Sequence, residues 1–338
     1  MTTVWFCILA FLAAGYAVLD GFDLGVGALY LFITRNEDER RIVLNSIGPV
    51  WDGNEVWLIA LGGVLVLSFP RVYAAGFSGF YLALIMGVWL LMGRGLGLEW
   101  RAHLASPLWR QAADVVFAVC SGVLVFVLGI AVGNIIDGVP LNKDGYYQGL
   151  FSWMLNPYAL LMGVFGLVVL TLHGANWLAL KTDGTVQERA RTIARRLWLL
   201  LVPLTIVVTV ATFVTRSEMG INYHTFPPYV VVPVLTVVLL GAIGYFRQRA
   251  DDLRAFLSSA GLIVTLIAST AIGLYPYLLP SRPHPERSFT VTNAASGTQS
   301  LFVGLIWLSF GLVLILAYVT FVYYLFRGKV VLEEGSHY

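Results

Sequence analysis

The feature that most limits this chain is a series of apolar runs, each near 20 residues, repeated along its whole length. A helix needs about 20 apolar residues to cross the hydrocarbon core of a bilayer. Within lipid, only helices and closed barrels satisfy their own backbone. A barrel would show short alternating segments, which these continuous runs exclude. Only 12% of the 338 residues are charged and 58% are hydrophobic, with a mean hydropathy of +0.80, whereas a soluble domain carries about 25% charge. The sequence predicts an all-α polytopic integral membrane protein, with 1–338 as a single membrane domain.

Nine spans are expected, at about 4–33, 50–69, 73–98, 113–136, 157–180, 195–214, 227–246, 254–275 and 299–326. Spans 1–4 and 5–8 would form two four-helix bundles with the ninth added, although no sequence repeat supports the pairing. Pro203 and Pro233 fall inside spans and are expected to kink them. Of 21 Lys and Arg, 16 lie in or beside the loops after spans 1, 3, 5 and 7 or in the C-terminal tail. The positive-inside rule then places the N-terminus outside and the C-terminus in the cytoplasm. The first run lacks a basic n-region and is too long for a signal peptide, so it reads as a retained helix. Cys7 and Cys120 lie in apolar runs without metal spacing and read as packed thiols.

Polar chemistry enters at three places. They are Asp20 and Asp23 in span 1, the stretch Trp51-Asp52-Gly53-Asn54-Glu55 opening span 2, and Arg94 with Glu99 ending span 3. The alternating topology puts all of them toward one membrane face. Charges inside a membrane are costly and usually line ion or proton pathways, and carboxyls suit proton exchange. Blander readings stand beside this one. Asp52 and Glu55 are spaced as a capping box, and Arg94 could snorkel or simply pair an acid. Gly21, Gly25 and Gly27 suit close packing, and Asp20 with Asp23 could be a structural clamp.

Five histidines are candidates for haem ligands: His103, His173, His224, His284 and His337. Only His173 lies in a span, whereas a bis-His haem needs two facing spans. His173 therefore reads as a hydrogen-bonded packing residue. The ten Trp and sixteen Tyr fit interfacial belts, and some could line a groove for a quinone or lipid tail.

These motifs resemble subunit II of the cytochrome bd ubiquinol oxidases. The likeness rests on Asp20-Gly21-Phe22-Asp23-Leu24-Gly25-Val26-Gly27 and on Arg40-Arg41 followed by Asn45-Ser46-Ile47-Gly48-Pro49-Val50-Trp51-Asp52-Gly53-Asn54-Glu55-Val56-Trp57. Phe77-Ser78-Gly79-Phe80-Tyr81, and Arg94 followed by Gly97-Leu98-Glu99-Trp100-Arg101, extend it. Gly133-Asn134, Gly138-Val139-Pro140, Leu155-Asn156-Pro157, Gly273 to Pro276 and Thr298-Gln299-Ser300 carry it nearly to the end.

The resemblance implies a haem-free subunit of a respiratory complex in the bacterial cytoplasmic (inner) membrane. Its partner, cytochrome bd subunit I, carries haems b and d, oxidises quinol and reduces dioxygen to water. Protons for water come from the cytoplasm, so the reaction is electrogenic without pumping. It also implies that this chain alone is not catalytic and supplies part of the proton path. In some members it holds a structural quinone, and a small single-helix accessory subunit attaches. The family's channel acid matches Asp52, its span-3 acid matches Glu99 and its arginine matches Arg94.

The mechanism expected is proton uptake through Glu99 and Asp52, with Asp20, Asp23 and Glu55 as further stations. Trp51, Asn54 and Arg94 would shape the path. A purely structural scaffold for subunit I is the alternative. A stand-alone proton-coupled transporter ranks last, because it predicts inverted repeats and mid-membrane breaks.

Overall fold

Helices are the form in which such runs satisfy their backbone in lipid, and the computed structural model, which describes residues 1–103 and 105–331, contains twelve of them among the described residues. The first, α1 (Thr2–Ile33), has 32 residues. At 1.5 Å per residue it is about 48 Å long, more than the roughly 30 Å hydrocarbon core requires. Every residue from Asp20 to Gly27 is buried.

Burial this tight needs residues without bulk. A Cβ on Gly25 would run into the Leu170 carbonyl, and one on Gly174 would run into the backbone of Gly25 and Val26. The two helices therefore touch backbone to backbone, the close packing expected of Gly25.

A short amphipathic helix follows, α2 (Glu37–Ile47), capped by the Asn36 side chain accepting from Glu39 N. Its first turn holds Glu37, Asp38 and Glu39, where acids complement the helix dipole. It is followed, at a bend of 44°, by α3 (Trp51–Ser68). Next come α4 (Pro70–Gly79) and α5 (Tyr81–Arg101). The expected third span, 73–98, is thus divided at Phe80. Gly76, Ser78 and Gly79 are weak helix formers, and the chain turns there before the true span starts at Tyr81.

The remaining helices are α6 (Pro107–Asp137), α7 (Pro157–Lys181), α8 (Gly184–Thr215), α9 (Ile221–Thr225), α10 (Val231–Gln248), α11 (Asp252–Leu274) and α12 (Thr298–Leu325). α8 starts eleven residues before the expected 195. Its charged first turns continue the helix outside the apolar zone, where hydropathy gives no signal. Pro203 is inside α8. Pro233, by contrast, is in the first turn of α10, where its missing N–H has no partner to lose.

Among the described residues, eight helices are long and apolar enough to cross a membrane, or nine when the bent α2–α3 pair is counted as one span. α1, α3, α5 and α6 pack together, α7, α8, α10 and α11 form a second group, and α12 lies beside α3. α1 and α6 join the groups through α7, the most buried span. A two-stranded antiparallel ribbon, β1 (Tyr277–Leu279) with β2 (Phe289–Thr290), closes the loop before α12. Both cysteines are free, but Cys7 is exposed on the chain's surface and not packed within it.

Candidate functional site

α1 sets the site. Tyr16, Asp20 and Asp23 fall at four- and three-residue spacing, so they share one stripe of the helix. All three are buried. α5 delivers Arg94, whose Nη2 donates to Asp20 Oδ1 at 2.6 Å and whose Nη1 donates to Oδ2 at 3.1 Å. Arg94 is 1% exposed and Asp20 0%, so the pair is closed and electrically neutral.

Asp23 has no such cation. α3 brings Asn54, whose Nδ2 donates to Asp23 Oδ2 at 2.7 Å and to the Leu19 carbonyl at 3.2 Å. The Asn54 oxygen accepts from the Tyr323 hydroxyl of α12 at 3.0 Å. Asp23 Oδ1 is buried with no hydrogen-bond partner among the described residues. The Tyr16 hydroxyl and the Trp57 indole nitrogen are also buried and unpartnered.

At the start of α3, Trp51 links two of the expected residues. Its indole N–H donates to Glu99 at 3.2 Å, and its ring lies 5.8 Å from the Arg94 guanidinium carbon. Glu99 is exposed, Glu55 half-buried and Asp52 exposed. Glu55 is within electrostatic range of Arg94, Asp20 and Asp52. The capping box is not formed: Val50 is the N-cap, no side chain caps α3, and Asp52 lies inside its first turn. The structure thus brings Asp20, Asp23, Asn54 and Arg94 together, sets Trp51, Glu55 and Glu99 beside them, and leaves Asp52 on the surface of the chain.

A second ionic cluster was missed by sequence reasoning. Asp114 of α6 is fully buried. It accepts from Tyr30 at 2.6 Å, from Arg40 at 2.9 Å and from Arg101 Nε. Arg101 reaches on to Glu37 at 2.9 Å, and Glu39 is paired with Arg189. Asp114 is the second residue of the expected span 113–136, where a charge gives a weaker signal than one in mid-span.

His173 is fully buried. Its Nε2 donates to the Val18 carbonyl at 3.0 Å, and its Nδ1 is paired with the Ser259 hydroxyl at 2.7 Å. With both ring nitrogens held by protein, no lone pair is left for haem iron. His103, His224 and His284 lie in loops or at a short helix end, and His337 is outside the described residues.

The chain is 35% identical to the "Probable cytochrome oxidase subunit 2" of Haemophilus influenzae, covering 96% of this chain and 94% of that one. It is 34% identical to the "Cytochrome bd-I ubiquinol oxidase subunit 2" of Escherichia coli K12, covering 98% and 95%. It is 32% identical to the "Cytochrome bd ubiquinol oxidase subunit 2" of Bacillus subtilis, covering 99% and 98%. The fold matches a chain from "The structure of bd oxidase from Geobacillus thermodenitrificans" with a TM-score of 0.79 and 18% identity, over 96% of this chain and 98% of that one. Residues 1–326 match the family described as "Cytochrome bd terminal oxidase subunit II", and the chain belongs to that family.

Proposed function

We propose that this chain is the haem-free member of a quinol oxidase complex and that it carries protons toward the dioxygen-reducing centre of its subunit I partner. The observation that supports this best is Asp23. It is a buried carboxyl with no cation of its own, one fixed oxygen and one free oxygen. Such a group can take and give a proton without breaking the hydrogen bond that positions it. Asp52, before Asn54 on α3, and Glu99, between Arg94 and Arg101 on α5, lie toward the charged end of the spans, where Glu37, Asp114 and their arginines cluster, and Glu55 lies near Asp20 and Arg94. By the distribution of Lys and Arg we read that end as cytoplasmic. Asp52 and Glu99, exposed here, would be covered by subunit I, so the entry would run along the subunit boundary.

Asp20 has a different part. Held bidentately by Arg94, it would supply fixed charge near Asp23 and not a mobile proton. The chemistry of haems b and d belongs to subunit I, because the histidines here do not fit an axial ligand set. A structural quinone or lipid tail fits the open groove of about 740 Å³ between α1, α3 and α12, lined by Trp5, Val64, Leu67, Gln299 and Trp307. An accessory single-helix subunit would need an apolar face, and α12 offers one at Phe310, Leu314 and Phe321.

The scaffold reading is favoured by one observation, the closed Asp20–Arg94 pair, which looks built to hold helices together. The experiment that separates the two compares Asp23→Asn and Asp52→Asn with the parent in the purified complex. Retained haem spectra with turnover and proton uptake falling together in liposomes support conduction. Loss of the haems supports the scaffold.

A further inference from the structure

The corner where α8, α10 and α11 meet holds positive charge that its acids do not match. Asp252 accepts from Arg191 through Nε at 3.0 Å and Nη2 at 2.5 Å, and from Gln187 at 3.2 Å. Asp251 caps α11 and pairs with Arg254 at 3.4 Å. Neither acid is left for Arg247. Its Nη2 donates to the backbone carbonyl of Arg191, a neutral acceptor. Its Nη1 is enclosed with no hydrogen-bond partner among the described residues. The charged groups that act on it are Arg195, of like sign, and the already paired Asp252.

Enclosing a charged donor without an acceptor is costly, and the like charge of Arg195 adds repulsion. An anion seated between the two guanidiniums removes both penalties. A guanidinium fork matches phosphate oxygens in pairs. We infer that Arg247 and Arg195 form a binding site for a phosphate group. The site is at the C-terminal end of α10, beyond its apolar run, and basic pockets between membrane helices bind anionic headgroups. Arg249 lies 4.4 Å from the Tyr245 ring and Arg254 5.6 Å from Phe246, so an aromatic belt flanks the site. Arg195 is exposed and lies one helical turn after Arg191, whose carbonyl Arg247 holds, so the two guanidiniums belong to the same corner. The phosphate can come from an anionic phospholipid or from free phosphate.

The test strips lipid from the purified complex and adds back phosphatidylglycerol, phosphatidylcholine or inorganic phosphate. Unfolding temperature and lipid retained in native mass spectrometry are followed in the parent, Arg195→Gln, Arg195→Lys and Arg196→Gln. Phosphatidylglycerol is expected to be retained and to raise the unfolding temperature of the parent and of Arg196→Gln. Arg195→Gln should weaken its binding roughly tenfold, and Arg195→Lys should fall between. The same gain from inorganic phosphate, lost in the same variant, keeps the site and assigns it to free phosphate. Equal binding by Arg195→Gln and the parent overturns the site, as does an equal gain from phosphatidylcholine in every variant. Because Arg195 is exposed, its substitution leaves the packed core untouched.

Discussion

Arg94 grips the Asp20 carboxylate with both Nη groups, at 2.6 and 3.1 Å, where neither residue meets solvent. A buried pair of this kind roughly offsets its own desolvation. Removing one partner leaves an unmatched charge and costs about 3–5 kcal/mol. Arg94→Ala is therefore expected to lower the unfolding temperature of the complex sharply. Arg94→Met combined with Asp20→Leu should recover most of the loss. Thermal unfolding of the three complexes checks this. A double variant no better than the single would mean that Arg94 does more than neutralise Asp20.

Tyr323 holds the Asn54 amide in the one orientation that offers Asp23 a donor. Without the hydroxyl, the amide oxygen has no partner and the group is free to turn. Tyr323→Phe should cost about 1 kcal/mol of stability. It should also alter the pH profile of turnover while leaving the haem spectrum of the complex unchanged. An unaltered profile would show that the orientation of Asn54 does not matter to Asp23.

The spans and the stripe on α1 were legible because both are periodic. Apolar length marks a span, and Asp20 and Asp23 stand out inside one. What hydropathy cannot register was missed. It does not see the polar half of α8, the turn at Phe80 or the amphipathic helix α2. Spacing also suggested a cap at Asp52 and Glu55, but the helix starts two residues too early for it, with Val50 as N-cap. Asn54, expected to shape the path, is the residue that touches Asp23. Which residue of one turn faces inward depends on how α3 is rotated against α1. That rotation is set by packing and leaves no local trace. Tyr323, 269 residues away, is beyond any local pattern.

The Glu37 carboxyl, in the amphipathic helix α2, is held below its usual range, first of all by the hydrogen bond from Arg101. A depressed carboxyl adds stability above its unfolded value, near 4.5. That stability is lost as pH falls through the lower folded value. Glu37 is 47% exposed on its side chain, so solvent screening keeps the effect below about 1 kcal/mol. Glu37→Gln should unfold slightly earlier than the parent at pH 7, and the two should converge toward pH 3. Melting curves across that range decide it, and a gap that persists at low pH would point to packing instead of charge.

Gly25 and Gly174 set the distance between α1 and α7, and so fix where Asp20 and Asp23 sit. A Cβ on Gly25 meets the Leu170 carbonyl and approaches Gly174 N at 3.0 Å, while nothing lies within 4 Å of one placed on Gly62. Backbone cannot rotate aside as a side chain can, so the helices must separate. Overpacking of this kind typically costs about 1–3 kcal/mol and more when the obstacle is rigid. Gly25→Ala should therefore reduce the yield of assembled complex and its unfolding temperature, and Gly62→Ala should change neither. Separation would also draw Asp23 from Asn54, because the two are joined by a single 2.7 Å bond between α1 and α3. The complex that does assemble with Gly25→Ala should lose a larger share of turnover than of haem. Equal losses of the two would mean that α1 tolerates displacement and that the acid stripe does not depend on its register.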